Sequence, residues 1–305
     1  MKKTVLLFIF IASGLSAGFL DKANQLYNEG KLAQSIPVYK KAALAGENPA
    51  LCYFNLANAY FQSDSIPQSI VYYDASVYYA PDFFRGYLNL AIAYYTLNEM
   101  GECIAAVTRA LQLEPDDERA LLLQAAAYRK TGATALAVVT FEKIVALTPE
   151  KEEAYISLAE IYRELDDPQE AVRWLQKYPE SGTNESYVTL LLAEIFEKQN
   201  NYERALFYLK RSFEKDPSKW TYYRMMVLQE RMGNELVALE DSRKGLELFP
   251  DFSELAVFAA NIAFNQQKYS EAERYYTLAK EKGNAAGVVG LENVRLMLRQ
   301  EGEEE

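Results

Sequence analysis

Small residues return every 34 positions along most of this chain, each inside a stretch of helical hydrophobic periodicity. Ala23, Ala57, Ala91, Ala125, Ala159 and Ala193 form one column, and Ser35, Ser69, Cys103, Ala137, Ala171 and Ala205 form a second. Tyr60, Tyr94, Tyr128, Tyr162 and Phe196 follow the alanines on the same helical face, while Pro81, Pro115, Pro149 and Pro217 close successive periods. This pattern predicts two antiparallel helices per period. A small residue in each lets the backbones approach, and the aromatic fills the space toward the next hairpin as part of the core. One hairpin alone cannot bury its apolar face, so stability has to come from stacking on neighbours. The fold class is all-α.

Eight units follow, beginning near residues 18, 50, 84, 118, 152, 186, 219 and 253. A one-residue deletion shifts the seventh, where Met226 replaces the small residue of the first helix and Ala238 and Pro250 continue the columns. The eighth returns to pattern with Ala260, Ala272 and Ala279. The stretch Gly287 to Gln300 places Val288, Leu291, Val294 and Leu298 at helical spacing, which predicts a terminal helix covering the last apolar face, followed by a solvated acidic tail. Two prolines interrupt the pattern. Pro37 predicts that the second helix of unit one starts late, with Ser35 as its cap. Tyr178-Pro179 predicts an early end to the second helix of unit five and an irregular joint over 179–185. The repeat array thus spans 18–284, with 285–305 as terminal helix and tail.

Ahead of the array, Met1-Lys2-Lys3, an apolar run from Thr4 to Leu15 and Ser16-Ala17-Gly18 have the order of an export signal, residues 1–17, with small residues for cleavage. The run falls short of the roughly 20 residues a spanning helix needs. Export, to the periplasm, is the expectation, and an uncleaved tether is the alternative. Phe19 stands where a lipoprotein would carry its lipidated cysteine. The formal charge is −11 and becomes more negative when Lys2 and Lys3 leave. That opposes nucleic acid and anionic lipid as partners, which require a basic face, so contact with a membrane is expected only through a partner.

The chain contains no histidine, which removes the usual nucleophile triads, histidine metal ligation and the near-neutral proton shuttle. Its two cysteines cannot make a zinc site alone, and their spacing places them in different repeats, so both are expected free. Asp116-Asp117, Glu152-Glu153 and Asp166-Asp167 fall at predicted helix starts, where carboxylates satisfy N–H groups and the helix dipole. No catalytic residue, metal or cofactor is expected.

Leu56-Ala57-Asn58-Ala59-Tyr60 with Pro81, and Leu90-Ala91-Ile92-Ala93-Tyr94 with Ala110 and Pro115, resemble the tetratricopeptide repeat family over nearly the whole array. The resemblance implies a right-handed solenoid of about eight repeats with a capping helix, in which the first helices line a concave groove that binds protein partners. Carried onto this sequence, the groove residues are Asn24 and Tyr27, then Phe54, Asn55, Asn58 and Phe61, then Arg85, Asn89 and Tyr95, and finally Arg119 and Arg129. Amides can pair with a peptide backbone without reading its sequence, aromatics anchor apolar groups, and arginines receive carboxylates. Asn24, Asn55 and Arg85 match the family's carboxylate clamp, but Leu20 and Asn89 stand where that clamp has basic residues. Farther along, Glu153, Glu160, Glu164, Glu194 and Glu197, with Arg163, Lys198, Arg224 and Arg231, present a charged face that reads as solvated surface or as a second, acidic platform. The leader, Ala23 to Lys31 and Phe54 to Tyr60 are also similar to repeat proteins of bacterial aerotolerance-type (Bat) operons. The reading that results is an exported, non-enzymatic adaptor of an envelope complex. A structural or oligomerisation module is the alternative.

Overall fold

The computed structural model describes residues 18–179 and 182–304. The expected leader, residues 1–17, lies outside the described residues, as does part of the expected joint. The described chain is helical throughout. Eight helical hairpins follow in order: α1 (Phe19–Asn28) with α2 (Leu32–Leu44), α3 (Pro49–Gln62) with α4 (Ile66–Tyr79), α5 (Phe84–Thr96) with α6 (Met100–Leu113), α7 (Glu118–Lys130) with α8 (Thr134–Leu147), α9 (Glu152–Glu164) with α10 (Pro168–Gln176), α11 (Glu185–Lys198) with α12 (Tyr202–Lys215), α13 (Lys219–Arg231) with α14 (Glu235–Leu248), and α15 (Ser253–Asn265) with α16 (Tyr269–Glu281). The last helix is α17 (Ala285–Glu304). The chain forms two compact units, one ending at Ala154 and the other beginning at Tyr155.

Every residue of both small columns is buried; Ala159 is the least enclosed of them at 2 % exposure. Between the two helices of each hairpin the chain turns through one left-handed residue, in chain order Gly30, Asp64, Asn98, Gly132, Asp166, Asn200, Gly233 and Gln267. These are the residue types that reach positive φ at least cost, Gln267 excepted. The turn closes each first helix: in the second hairpin Asp64 N–H donates to Phe61 O and Ser65 N–H to Tyr60 O, satisfying carbonyls at the helix end. Helix starts use the expected acids. Asp117 accepts from Ala120 N–H at 2.8 Å and Asp167 from Glu170 N–H at 3.1 Å.

Three details differ from the sequence expectation. Helix α2 begins at Leu32, ahead of Pro37, which sits inside it. Ser35 is no cap: it is fully buried where the helices cross, and its hydroxyl donates to Leu32 O. Small size in that column outweighs the backbone bond forfeited by the proline. The tyrosine column is only half-buried at Tyr60, Tyr94, Tyr128 and Tyr162, although Phe196 is 3 % exposed. Tyr60 stacks on Tyr72 at 5.3 Å, and Lys40 Nζ reaches the Tyr60 hydroxyl at 3.1 Å. In α17, Val288 is 40 % exposed, whereas Gly287, Gly290, Leu291 and Val294 face α15 and α16. The two glycines set that face. A Cβ at 287 would stand 2.7 Å from Lys280 N, and one at 290 would stand 2.1 Å from the Tyr276 ring. The helix also continues through the expected tail to Glu304.

Cys52 and Cys103 are unbridged and fully buried. The Cys52 thiol donates to Glu47 O at 2.7 Å, and burial pushes both thiols up to about 11. The thiolate is the reactive form. At pH 8 the native chain is therefore expected to resist iodoacetamide, to gain two adducts in denaturant, and to melt at the same temperature with or without reductant. Mass spectrometry and a thermal melt check this; rapid alkylation of the native chain would contradict it.

Candidate functional site

In the first compact unit the first helices adjoin directly: α1 touches α3 and α5 touches α7, while the second helices make no comparable contact with one another among the described residues. The predicted groove residues lie on α1, α3, α5 and α7, and the amides among them are joined into rungs. Asn24 Oδ1 accepts from the Tyr39 hydroxyl at 2.8 Å and from Asn55 Nδ2 at 2.9 Å. One repeat on, Asn58 Oδ1 accepts from the Tyr73 hydroxyl at 2.6 Å and from Asn89 Nδ2 at 3.0 Å. Each rung ties the two helices of one hairpin to the first helix of the next. Tyr39 and Tyr73 are 1 % and 2 % exposed, and burial holds their hydroxyls well above the ordinary tyrosine range, so they remain donors. The asparagines thus have a structural task that groove position alone did not reveal. The available signal was the pairing of an asparagine in the first helix with a tyrosine in the second at a fixed offset, which recurs in the second compact unit as Asn261 and Tyr276, 2.6 Å apart.

Beside the second rung the face opens into two recesses that share Asn89. The smaller, about 200 Å³, is lined by Tyr27, Asn58, Phe61, Gln62, Tyr73, Asn89 and Ile92. The larger, about 490 Å³, is lined by Phe54, Phe84, Arg85, Leu88, Asn89, Glu114, Asp117 and Arg119. Seven of the eleven predicted residues therefore meet in two adjoining hollows: Tyr27, Asn58 and Phe61 in one, Phe54, Arg85 and Arg119 in the other, with Asn89 common to both. The other four, Asn24, Asn55, Tyr95 and Arg129, line neither. Asn24 and Asn55 are held in the first rung, and Tyr95 lies beneath Lys130, whose Nζ is 4.0 Å from the ring centroid.

Charge in the larger hollow is mixed. Arg85 and Arg119 share it with Glu114 and Asp117, and Asp117 is already bonded to the start of α7. The hollow therefore suits a polar main chain with an isolated acidic group better than a strongly acidic ligand.

Of the predicted acidic face, Glu160, Glu194 and Glu197 in the second compact unit are engaged with neighbours. Arg163 meets Glu194 at 3.1 Å, and Arg224 meets Glu194 at 3.7 Å and Glu197 at 2.8 Å, linking α9, α11 and α13. The Tyr187 hydroxyl donates to Glu160 at 3.0 Å. These pairs are about a third exposed, so each contributes at most about 1 kcal/mol. Among the described residues no cluster of acids and cysteines has the makings of a metal site, and no helix is long and apolar enough to cross a membrane.

Two sequence models described as tetratricopeptide repeats match residues 88–152 and 128–195. No curated protein matches the chain significantly in sequence. Among solved structures, the C-terminal part of a TPR repeat-containing protein from Cytophaga hutchinsonii superposes with a TM-score of 0.64 at 14 % identity, covering 78 % of this chain and 99 % of that one. A tetratricopeptide repeat protein from Parabacteroides merdae gives 0.51 at 17 % identity, covering 81 % and 98 %. Pseudomonas aeruginosa pilF gives 0.51 at 15 % identity, covering 68 % and 95 %. At these identities the likeness is one of fold.

Proposed function

We propose that this tetratricopeptide repeat protein is a non-catalytic, exported scaffold that holds an extended segment of a protein partner against α1, α3, α5 and α7, as part of an envelope assembly. The observation that carries the reading is the pair of hollows meeting at Asn89. Asn58 spends its oxygen on the rung, which fixes the amide and leaves its NH2 for a ligand carbonyl; Asn89 spends a donor and leaves its oxygen for a ligand N–H. Phe61 and Tyr27 wall the small hollow against apolar side chains, and Arg85 and Arg119 flank the large one. Export rests on the order of charged, apolar and small residues from Met1 to Gly18.

The test uses residues outside the rungs, and because Phe61 also packs against the core, circular dichroism checks that each variant keeps its helix content. The mature chain is immobilised and exposed to the native envelope fraction, and bound proteins are identified by mass spectrometry. F61A and the double change R85E/R119E are expected to lose the specific partner at least tenfold, and a synthetic peptide from that partner should compete. E160Q/E194Q should retain it. The opposite outcome moves the binding surface to the second compact unit. A light-scattering mass that doubles with concentration, together with absence of any competing peptide, would favour a self-assembling structural module instead.

A further inference from the structure

Helix α1 starts without a side-chain cap, because Gly18 occupies its N-cap position. Two of its free donors are instead taken by a carboxylate from the far end of the hairpin: Glu47 Oε1 accepts from Phe19 N–H at 3.2 Å and Oε2 from Leu20 N–H at 2.8 Å. Glu47 is fixed for this. Its own N–H donates to Ala42 O, its carbonyl accepts from the Cys52 thiol, and left-handed Gly46 and Asn48 flank it. The carboxylate also fills the space where a residue 18 side chain would stand, since a Cβ there would lie 2.9 Å from Glu47 Oε2. Residue 18 is also the residue after Ser16-Ala17, the small pair that ends the leader.

We infer that Glu47 is the receptor for a processed N-terminus: an endopeptidase of the signal-removing class cuts between Ala17 and Gly18, and the ammonium created on Gly18 pairs with the Glu47 carboxylate. The inference rests on the export reading. In the step, water adds across the Ala17–Gly18 peptide bond and the C–N bond breaks; the water oxygen stays on the leader as the Ala17 carboxylate, and both water protons end on the Gly18 nitrogen, making it an ammonium. That new cation lies at the positive end of the α1 dipole, an unfavourable place for it without an anion alongside. Glu47 supplies the anion. Glycine is the residue that lets the carboxylate approach so closely, so cleavage site and receptor constrain one position. An α-amino group ordinarily titrates at about 8, so the pairing is expected at pH 7 and lost by pH 10.

Two measurements test this. Chains beginning at Gly18 and at Ala17, each with and without E47Q, are compared by thermal melting at pH 7 and pH 10. The Gly18 chain is expected to melt several degrees higher at pH 7 only, with the difference abolished by E47Q. Equal melting of the two chains, or a difference that survives E47Q, overturns the receptor. Separately, the chain with residues 1–305 is produced in a bacterium with two membranes, and the periplasmic product is weighed intact. A mass beginning at Gly18 is expected. Cleavage at another bond overturns this inference and leaves export standing, whereas an unprocessed cytoplasmic chain overturns both.

Discussion

Asn58→Leu is expected to lower the thermal midpoint of the first compact unit more than any other surface-accessible change in the chain. The substitution removes one acceptor and strands the nearly buried Tyr73 hydroxyl, whereas Asn89 Nδ2 borders the open hollows and keeps its 3.5 Å approach to that hydroxyl. The orphaned hydroxyl costs about 1–3 kcal/mol. Removing the stranded hydroxyl as well should recover part of it: N58L/Y73F is expected to be more stable than N58L, although Y73F alone destabilises. Such a sign reversal is what a rung predicts and what simple loss of packing does not. Denaturant titration of the four proteins measures it. An N58L midpoint indistinguishable from the parent, or additive effects, would show that the rung contributes nothing.

Ala125→Leu is the second large effect. Ala125 has no exposed surface and lies where α7 crosses α8, facing the column that holds Ala137, which is equally enclosed. Three added carbons have no space there and must force the hairpin apart, at a cost of about 1–3 kcal/mol or more. Ala135→Leu, on the exposed side of α8, is the control and should leave the melt unchanged. If both substitutions melt alike, the alanine column does not mark a close crossing.

The fold was legible because the repeat constrains each residue twice, once by helical period and again by the step to the next hairpin. Unit starts, the deletion before Met226 and the terminal helix could all be read from columns alone. What escaped was local competition. Pro37 reads as a break, yet the requirement for a small buried residue at Ser35 keeps α2 intact through it. Val288 reads as a core residue, yet the two glycines beside it seat the helix one position away, because a missing side chain can define a contact face as firmly as a large one.

The site was harder to read, since the asparagines answer to two demands at once. The columns that carry Asn24 with Tyr39 and Asn58 with Tyr73 hold Ile92 with Val107 one repeat later, and Val107 is fully buried. Donor and acceptor are replaced together, which is nearly neutral, whereas replacing one is costly. The three-membered rungs therefore lie in the first two repeats, and the asparagine–tyrosine pair returns only farther along, as Asn261 with Tyr276.

Helix α17 has a consequence for how long such an array can be. Its glycine face occupies the place against α15 and α16 where the first helix of a further hairpin would lie, while its outer side carries Glu292, Arg295 and Arg299 together with exposed Val289 and Leu296. A terminal repeat without such a cover presents an adhesive end to every other copy. Two missing side chains, at positions 287 and 290, thus act as the hinge pins of a lid: they let α17 lie close enough to shut the apolar face of the eighth hairpin.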